Sequence, residues 1–98
     1  MNEKAASLVQ KLSRSFEGSP VAYEFSNDLH RFRIEWGPTH WIYIARAYVD
    51  GHTASELHAS LERWRIADTL RSSQRSRCLL LGERGILEVN ANYGRQRK

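Results

Sequence analysis

The chain has one cysteine, Cys78, so neither an internal disulfide nor a cysteine-based zinc cluster is available to it. Cys78 sits in the apolar run Arg77-Cys78-Leu79-Leu80-Leu81 and reads as a small core residue rather than a reactive thiol. No apolar run approaches the ~18 residues a membrane span requires. The opening Met1-Asn2-Glu3-Lys4 leads into no apolar h-region or cleavage signature, so no signal peptide, no membrane contact and a cytoplasmic location are expected. Of the four histidines, only His52 and His58 are close, and at six residues apart they do not share a helical face. Glycine-rich phosphate cradles, Ser/His/Asp patterns and paired carboxylates in a shared site are all missing. The sequence therefore predicts no metal and no cofactor, and leaves any enzymatic role uncertain.

Lysine is scarce as well: three lysines stand against twelve arginines, with a formal charge of +4. Arginine binds planar anions bidentately and stacks on aromatic rings, which suits interfaces and phosphates better than a solvated surface. With 98 residues, 41% hydrophobic and 27% charged, the chain reads as one globular domain over residues 1–98, with 93–98 a flexible basic tail.

What is present is organised around residues 21–49. Val21 to Ser26 and Leu29 to Trp36 alternate apolar and polar, and Asn27-Asp28 between them tolerates positive φ, as a two-residue hairpin turn requires. That turn places Tyr23 opposite Phe32 and Glu24 opposite Arg31. Gly37-Pro38 ends the second run, and the aromatic and β-branched stretch 41–49 reads as a third strand. A four-residue loop at 37–40 would set Trp36 opposite Trp41 and Ile34 opposite Tyr43. One face of the meander then holds Tyr23, Phe32, Ile34, Trp41 and Tyr43. The other holds Glu24, Leu29, Arg31, Arg33, Ile42, Ile44, Arg46 and Tyr48.

Helical spacing marks residues 3–17, with Asn2 as cap and Gly18 as stop. Thr53 and Glu56 form a capping-box signature, and Leu57, Leu61, Trp64, Ala67 and Leu70 extend it as one continuous helix to Arg71. A last hairpin pairs 78–81 with 86–89 around Gly82-Glu83-Arg84-Gly85. The expected fold is α+β in the order α-β-β-β-α-β-β: an antiparallel three-stranded meander plus a C-terminal hairpin in one sheet, with two amphipathic helices on one face. A right-handed crossover through the second helix delivers the hairpin.

The candidate binding surface is the second sheet face: Glu24, Leu29, Arg31, Arg33, Ile42, Ile44, Arg46 and Tyr48. Aliphatic residues mixed with tyrosine and arginine fit a protein interface, most simply a homodimer. In this reading Ile44→Glu gives a folded monomer. The alternative is nucleic-acid binding through Arg75, Arg77, Arg84, Arg95 and Arg97, although the apolar stripe from 57 to 70 shows no break for a helix-turn-helix. A third possibility is a metal-independent hydrolase that combines a histidine and a glutamate with Arg31 or Arg33. The element order is similar to that of bacterial secretion chaperones, small dimers that bind unfolded stretches of a partner. That resemblance implies a binding function without chemistry. The reading that results is a small binding or adaptor protein.

Overall fold

A computed structural model describes residues 2–94. The elements run α1 (Glu3–Ser15), β1 (Val21–Ser26), β2 (Leu29–Glu35), β3 (Thr39–Ala45), α2 (Arg46–Asp50), α3 (Ala54–Arg63), α4 (Ile66–Arg71), β4 (Cys78–Gly82) and β5 (Gly85–Glu88). The five strands form one sheet in the order β1-β2-β3-β4-β5. The class is α+β as expected, but the sheet is mixed, because β4 lies parallel to β3 after the helical crossover. No helix among the described residues is long and apolar enough to cross a membrane.

Local chemistry sets most boundaries. The Asn2 side chain accepts from the N–H groups of Lys4 and Ala5, and Thr53 and Glu56 complete a reciprocal capping box. Asn27 and Asp28 both adopt positive φ, 54° and 61°, the paired left-handed conformation of the tightest hairpin turn. That turn fixes β1 against β2 in the expected register, with Tyr23 opposite Phe32 and Glu24 opposite Arg31.

The β2–β3 register differs from the expected one. Trp36, Gly37 and Pro38 make a three-residue loop closed by Glu35 opposite Thr39, so Arg31 faces Tyr43, Phe32 faces Ile42 and Arg33 faces Trp41. The offset from the expected pairing is odd, and an odd offset turns every β3 side chain to the opposite face. Burial explains why this register wins. Ile42 and Ile44 enter the core with Phe32, Ile34, Leu79 and Leu81, whereas Trp41 and Tyr43 carry their polar ends to the other face.

Two more expectations are corrected. The third strand ends at Ala45, and 46–50 form one helical turn that buries Val49. The helix after Thr53 is not continuous: Arg65 takes a left-handed conformation, φ 54°, and separates α3 from α4. In an unbroken helix Ile66 would sit about 140° round from Leu61, off the apolar stripe. The break re-phases the chain, so Leu57 and Leu61 of α3 and Ile66 and Leu70 of α4 all reach the core. This also removes the sequence argument against a helix-turn-helix, but α4 has six residues and is spent on packing.

The helices cover one face of the sheet. α1 is held to α3 by Lys11–Glu62 at 2.7 Å and Ser7–His58 at 2.7 Å, and to α4 by Arg71 donating to the Ser15 carbonyl at 2.6 Å. Gly85 opens β5 at φ 115°, and its missing Cβ leaves room for the Trp64 indole.

Candidate functional site

Register and burial define the opposite face of the sheet. One cross-strand row is Glu24–Arg31–Tyr43–Leu80–Leu87, and the next is Ala22–Arg33–Trp41–Cys78. Leu29, Tyr43 and Cys78 form a small second core here, with Trp41, Ala45, Leu80 and Val89 packed around it.

At its centre lies Arg31, which is fully buried. Removing a guanidinium from water is costly, so the face must supply acceptors. Arg31 Nε donates to Ser26 Oγ at 2.9 Å and Nη1 to the Tyr93 carbonyl at 3.0 Å, while Glu24 lies 3.9 Å away. The guanidinium also sits 4.5 Å from the Tyr43 ring centroid, a cation–π contact worth about 0.5–2 kcal/mol. Tyr43 in turn donates to the Ala91 carbonyl. The chain after β5 therefore folds back over this face. Asn90 starts the turn by accepting from the N–H of Asn92 on its side chain and of Tyr93 on its backbone. Gly94 at φ 79° comes so close to Leu29 that a Cβ would lie 2.7 Å from Leu29 Cδ1.

The expected eight-residue surface is therefore not one surface. Glu24, Leu29, Arg31 and Arg33 do share a face, but Leu29 and Arg31 are buried beneath residues 91–94. Ile42 and Ile44 lie in the main core on the other side. Arg46 opens α2 and pairs with Asp28 at 3.5 Å, so it is not a neighbour of Arg31. Tyr48 lies on α2, its ring tilted against that of His52 with centroids 4.1 Å apart and its hydroxyl 3.1 Å from Ser60 Oγ. Of the expected tail, residues 93 and 94 lie in this cover, and 95–98 lie outside the described residues.

Trp41, which the expected register places on the face opposite the candidate surface, stands on the open face between two hollows. One, of about 170 Å³, is lined by Arg33, Arg31, Glu24 and Ala22; the other, of about 350 Å³, by Arg75, Arg77, Cys78 and Val89. The Arg33 guanidinium lies 6.0 Å from the Trp41 ring. Arg77 is engaged by Glu88 at 2.8 Å, and that hydrogen bond holds the Glu88 carboxyl below its usual range. Arg75 is exposed at the hollow's rim and Arg84 is exposed in the β4–β5 turn. Arg95 and Arg97 lie outside the described residues. The signal that would have found Trp41 is the β2–β3 loop length, which sets its face.

The groups that a hydrolase would use are otherwise committed. Burial pushes the Cys78 thiol up to about 11. His40 is buried, with Nε2 3.2 Å from the Trp36 carbonyl and Nδ1 accepting from the Arg77 N–H, and burial holds its pKa below the usual value. His30 is buried beside Tyr23, with Nδ1 2.8 Å from the tyrosine hydroxyl, and burial lowers its pKa against the opposing pull of Asp50. Among the described residues, no group of three or more His, Cys, Asp or Glu could hold a metal ion.

These histidines make stability pH-dependent. Each binds its proton less readily folded than unfolded, so acidification favours the unfolded chain. Their contribution is complete above about pH 6.5 and is lost as the pH falls through the depressed folded values. The urea midpoint should hold steady from pH 8 to 7 and fall by pH 5, with a shallower fall in His40→Gln. A midpoint that rises on acidification over this range contradicts the buried, neutral assignment.

No protein-family model matches the chain, and no curated protein and no solved structure is significantly similar to it.

Proposed function

We propose that the chain is a non-enzymatic binding module of the cytoplasm whose working surface is the open sheet face around Trp41. One observation carries this reading: the helices fill one face of the sheet, while the other carries an apolar strip. In that strip Trp41, Leu80 and Val89 are half-buried and Leu87 is 62% exposed. Tryptophan beside arginine is the composition of an interface centre. Arg33 and Arg75 on either side of Trp41, and the net charge of +4, favour a protein segment that presents apolar side chains together with carboxylates.

Peptides selected on this protein from a random displayed library test the reading. Enriched sequences should combine Leu or Phe with Asp or Glu. Leu87→Glu should weaken their binding by at least about tenfold, and Trp41→Ala by about thirtyfold. Leu87 is exposed, so the melting temperature of Leu87→Glu should barely move. Selected peptides that bind Leu87→Glu as tightly as the parent would overturn the assignment.

Nucleic-acid binding has one observation in its favour: Arg75 and Arg77 line the same hollow as Trp41, which pairs a stacking ring with cations. Against it, Glu88 already neutralises Arg77. Single-stranded RNA binding that weakens steeply with salt and is lost in Trp41→Ala would favour this reading over a protein partner.

A further inference from the structure

We propose that two copies of the chain join edge to edge through β1, in an antiparallel pairing about a two-fold axis at Tyr23, so that their sheets become one. The surface is separate from the Trp41 face, which the pairing leaves open.

The Glu35 N–H reaches the Pro20 carbonyl and the Arg46 N–H reaches the Asp28 carbonyl. Hydrogen-bonded pairs alternate along an antiparallel ladder. In the observed registers, therefore, odd-numbered residues of β2 bond to β1 and even-numbered ones to β3. On β1 this directs the backbone groups of Ala22, Glu24 and Ser26 inward and those of Val21, Tyr23 and Phe25 out of the sheet edge. Among the described residues, no hydrogen bond outside the ladder reaches these outward groups.

Natural sheets blunt such edges with charged side chains, lysine above all, or with proline, a bulge or a very short strand; the one charge in β1, Glu24, lies on the open side of the sheet, 3.9 Å from Arg31. The other edge strand, β5, is four residues long. β1 has six residues, Val21-Ala22-Tyr23-Glu24-Phe25-Ser26, with neither lysine nor proline, and its pairing with β2 is unbroken. It also displays Phe25, which is 46% exposed.

The edge is self-complementary about Tyr23. Val21 meets Phe25 of the second copy, Tyr23 meets Tyr23, and Phe25 meets Val21, and each of these pairs exchanges two hydrogen bonds. Every outward group is then satisfied. Phe25 gains an apolar neighbour on the helix side. On the open side Glu24 falls beside Ala22 of the second copy, so no like charges are opposed. The two-fold axis runs perpendicular to the sheet and keeps both helical layers on one side.

Sedimentation equilibrium at about 100 µM protein tests this. The parent should have twice the chain mass. Phe25→Lys, a change at an exposed side chain, should give a folded monomer, as should Phe25→Pro, which removes an N–H the ladder inside the chain does not use. Leu87→Glu should remain a dimer. Amide exchange gives a second signature: Tyr23 and Phe25 should be protected in the parent and should exchange rapidly in Phe25→Lys at position 23, while Glu24 stays protected in both. A monomeric parent overturns the proposal. So does a dimer that survives both Phe25 variants, or one that Leu87→Glu dissociates, which would place the contact on the Trp41 face instead.

Discussion

Replacing Ile44 with glutamate should unfold the protein. Ile44 is 1% exposed and packs among Phe32, Ile42 and the helices. The substitution removes a buried β-branched side chain and places a carboxylate where the surroundings are apolar. Such changes cost more than about 4 kcal/mol, a large share of the ~5–15 kcal/mol that holds a domain of this size together. Far-UV circular dichroism at 25 °C should show lost structure and no cooperative melt. A folded variant with a melting temperature near the parent's would place residue 44 on the open face, as a four-residue loop at 37–40 would. Ile44→Val should cost only about 0.5–1.5 kcal/mol.

Arg31→Ala is the second large effect. The side chain holds Ser26, the Tyr93 carbonyl and the Tyr43 ring together, and among the described residues no other donor reaches the Tyr93 carbonyl. Truncation leaves a cavity and frees the C-terminal cover, with an expected loss of about 2–4 kcal/mol. For a chain of this length that corresponds to about 10–25 °C in melting temperature. Arg31→Met separates packing from charge. It keeps the stem volume and removes the desolvation penalty, so its stability should lie within about 1 kcal/mol of the parent. In both variants the amides of residues 92–94 should exchange faster, because the anchoring donor is gone. Unchanged protection in Arg31→Ala would show that the cover is held by something else.

What the sequence made legible was local. Asn2, Asn27-Asp28 and the Thr53–Glu56 box each act through hydrogen bonds within a few residues, and each forms where the pattern places it. The class and the helical crossover to the last hairpin followed from the same patterns. Two features depended on tertiary burial and were not legible. Both Trp36–Trp41 and Glu35–Thr39 are acceptable loop closures by composition, and only the fit of Ile42 and Ile44 against the helices decides between them. The break at Arg65 likewise follows from the need to bury Ile66, which a stripe drawn through Leu61, Trp64 and Ala67 omits.

The candidate site shows the same division. Glu24 opposite Arg31 was readable from a two-residue turn. Arg31 reads as a surface cation until residues 91–94 are seen to cover it, and a contact so distant along the chain leaves no local periodicity. Trp41 falls on the opposite face in the expected register because its face depends on the β2–β3 loop. Once that loop is fixed, Trp41, Leu80 and Leu87 fall on the uncovered side and the isoleucines go under the helices.

The register of β2 against β3 is therefore the claim on which the Trp41 surface rests, and nuclear Overhauser spectroscopy reads it directly. Facing residues of antiparallel strands that do not exchange hydrogen bonds bring their α-protons together. The Arg46–Asp28 hydrogen bond makes Arg31–Tyr43 and Arg33–Trp41 such pairs, so both α-proton cross-peaks should be strong. Cross-peaks joining the α-protons of Arg33 to Ile44 and of Glu35 to Ile42 instead, the pairs that do not exchange hydrogen bonds when Ile34 faces Tyr43, would return Ile42 and Ile44 to the open face and contradict the account.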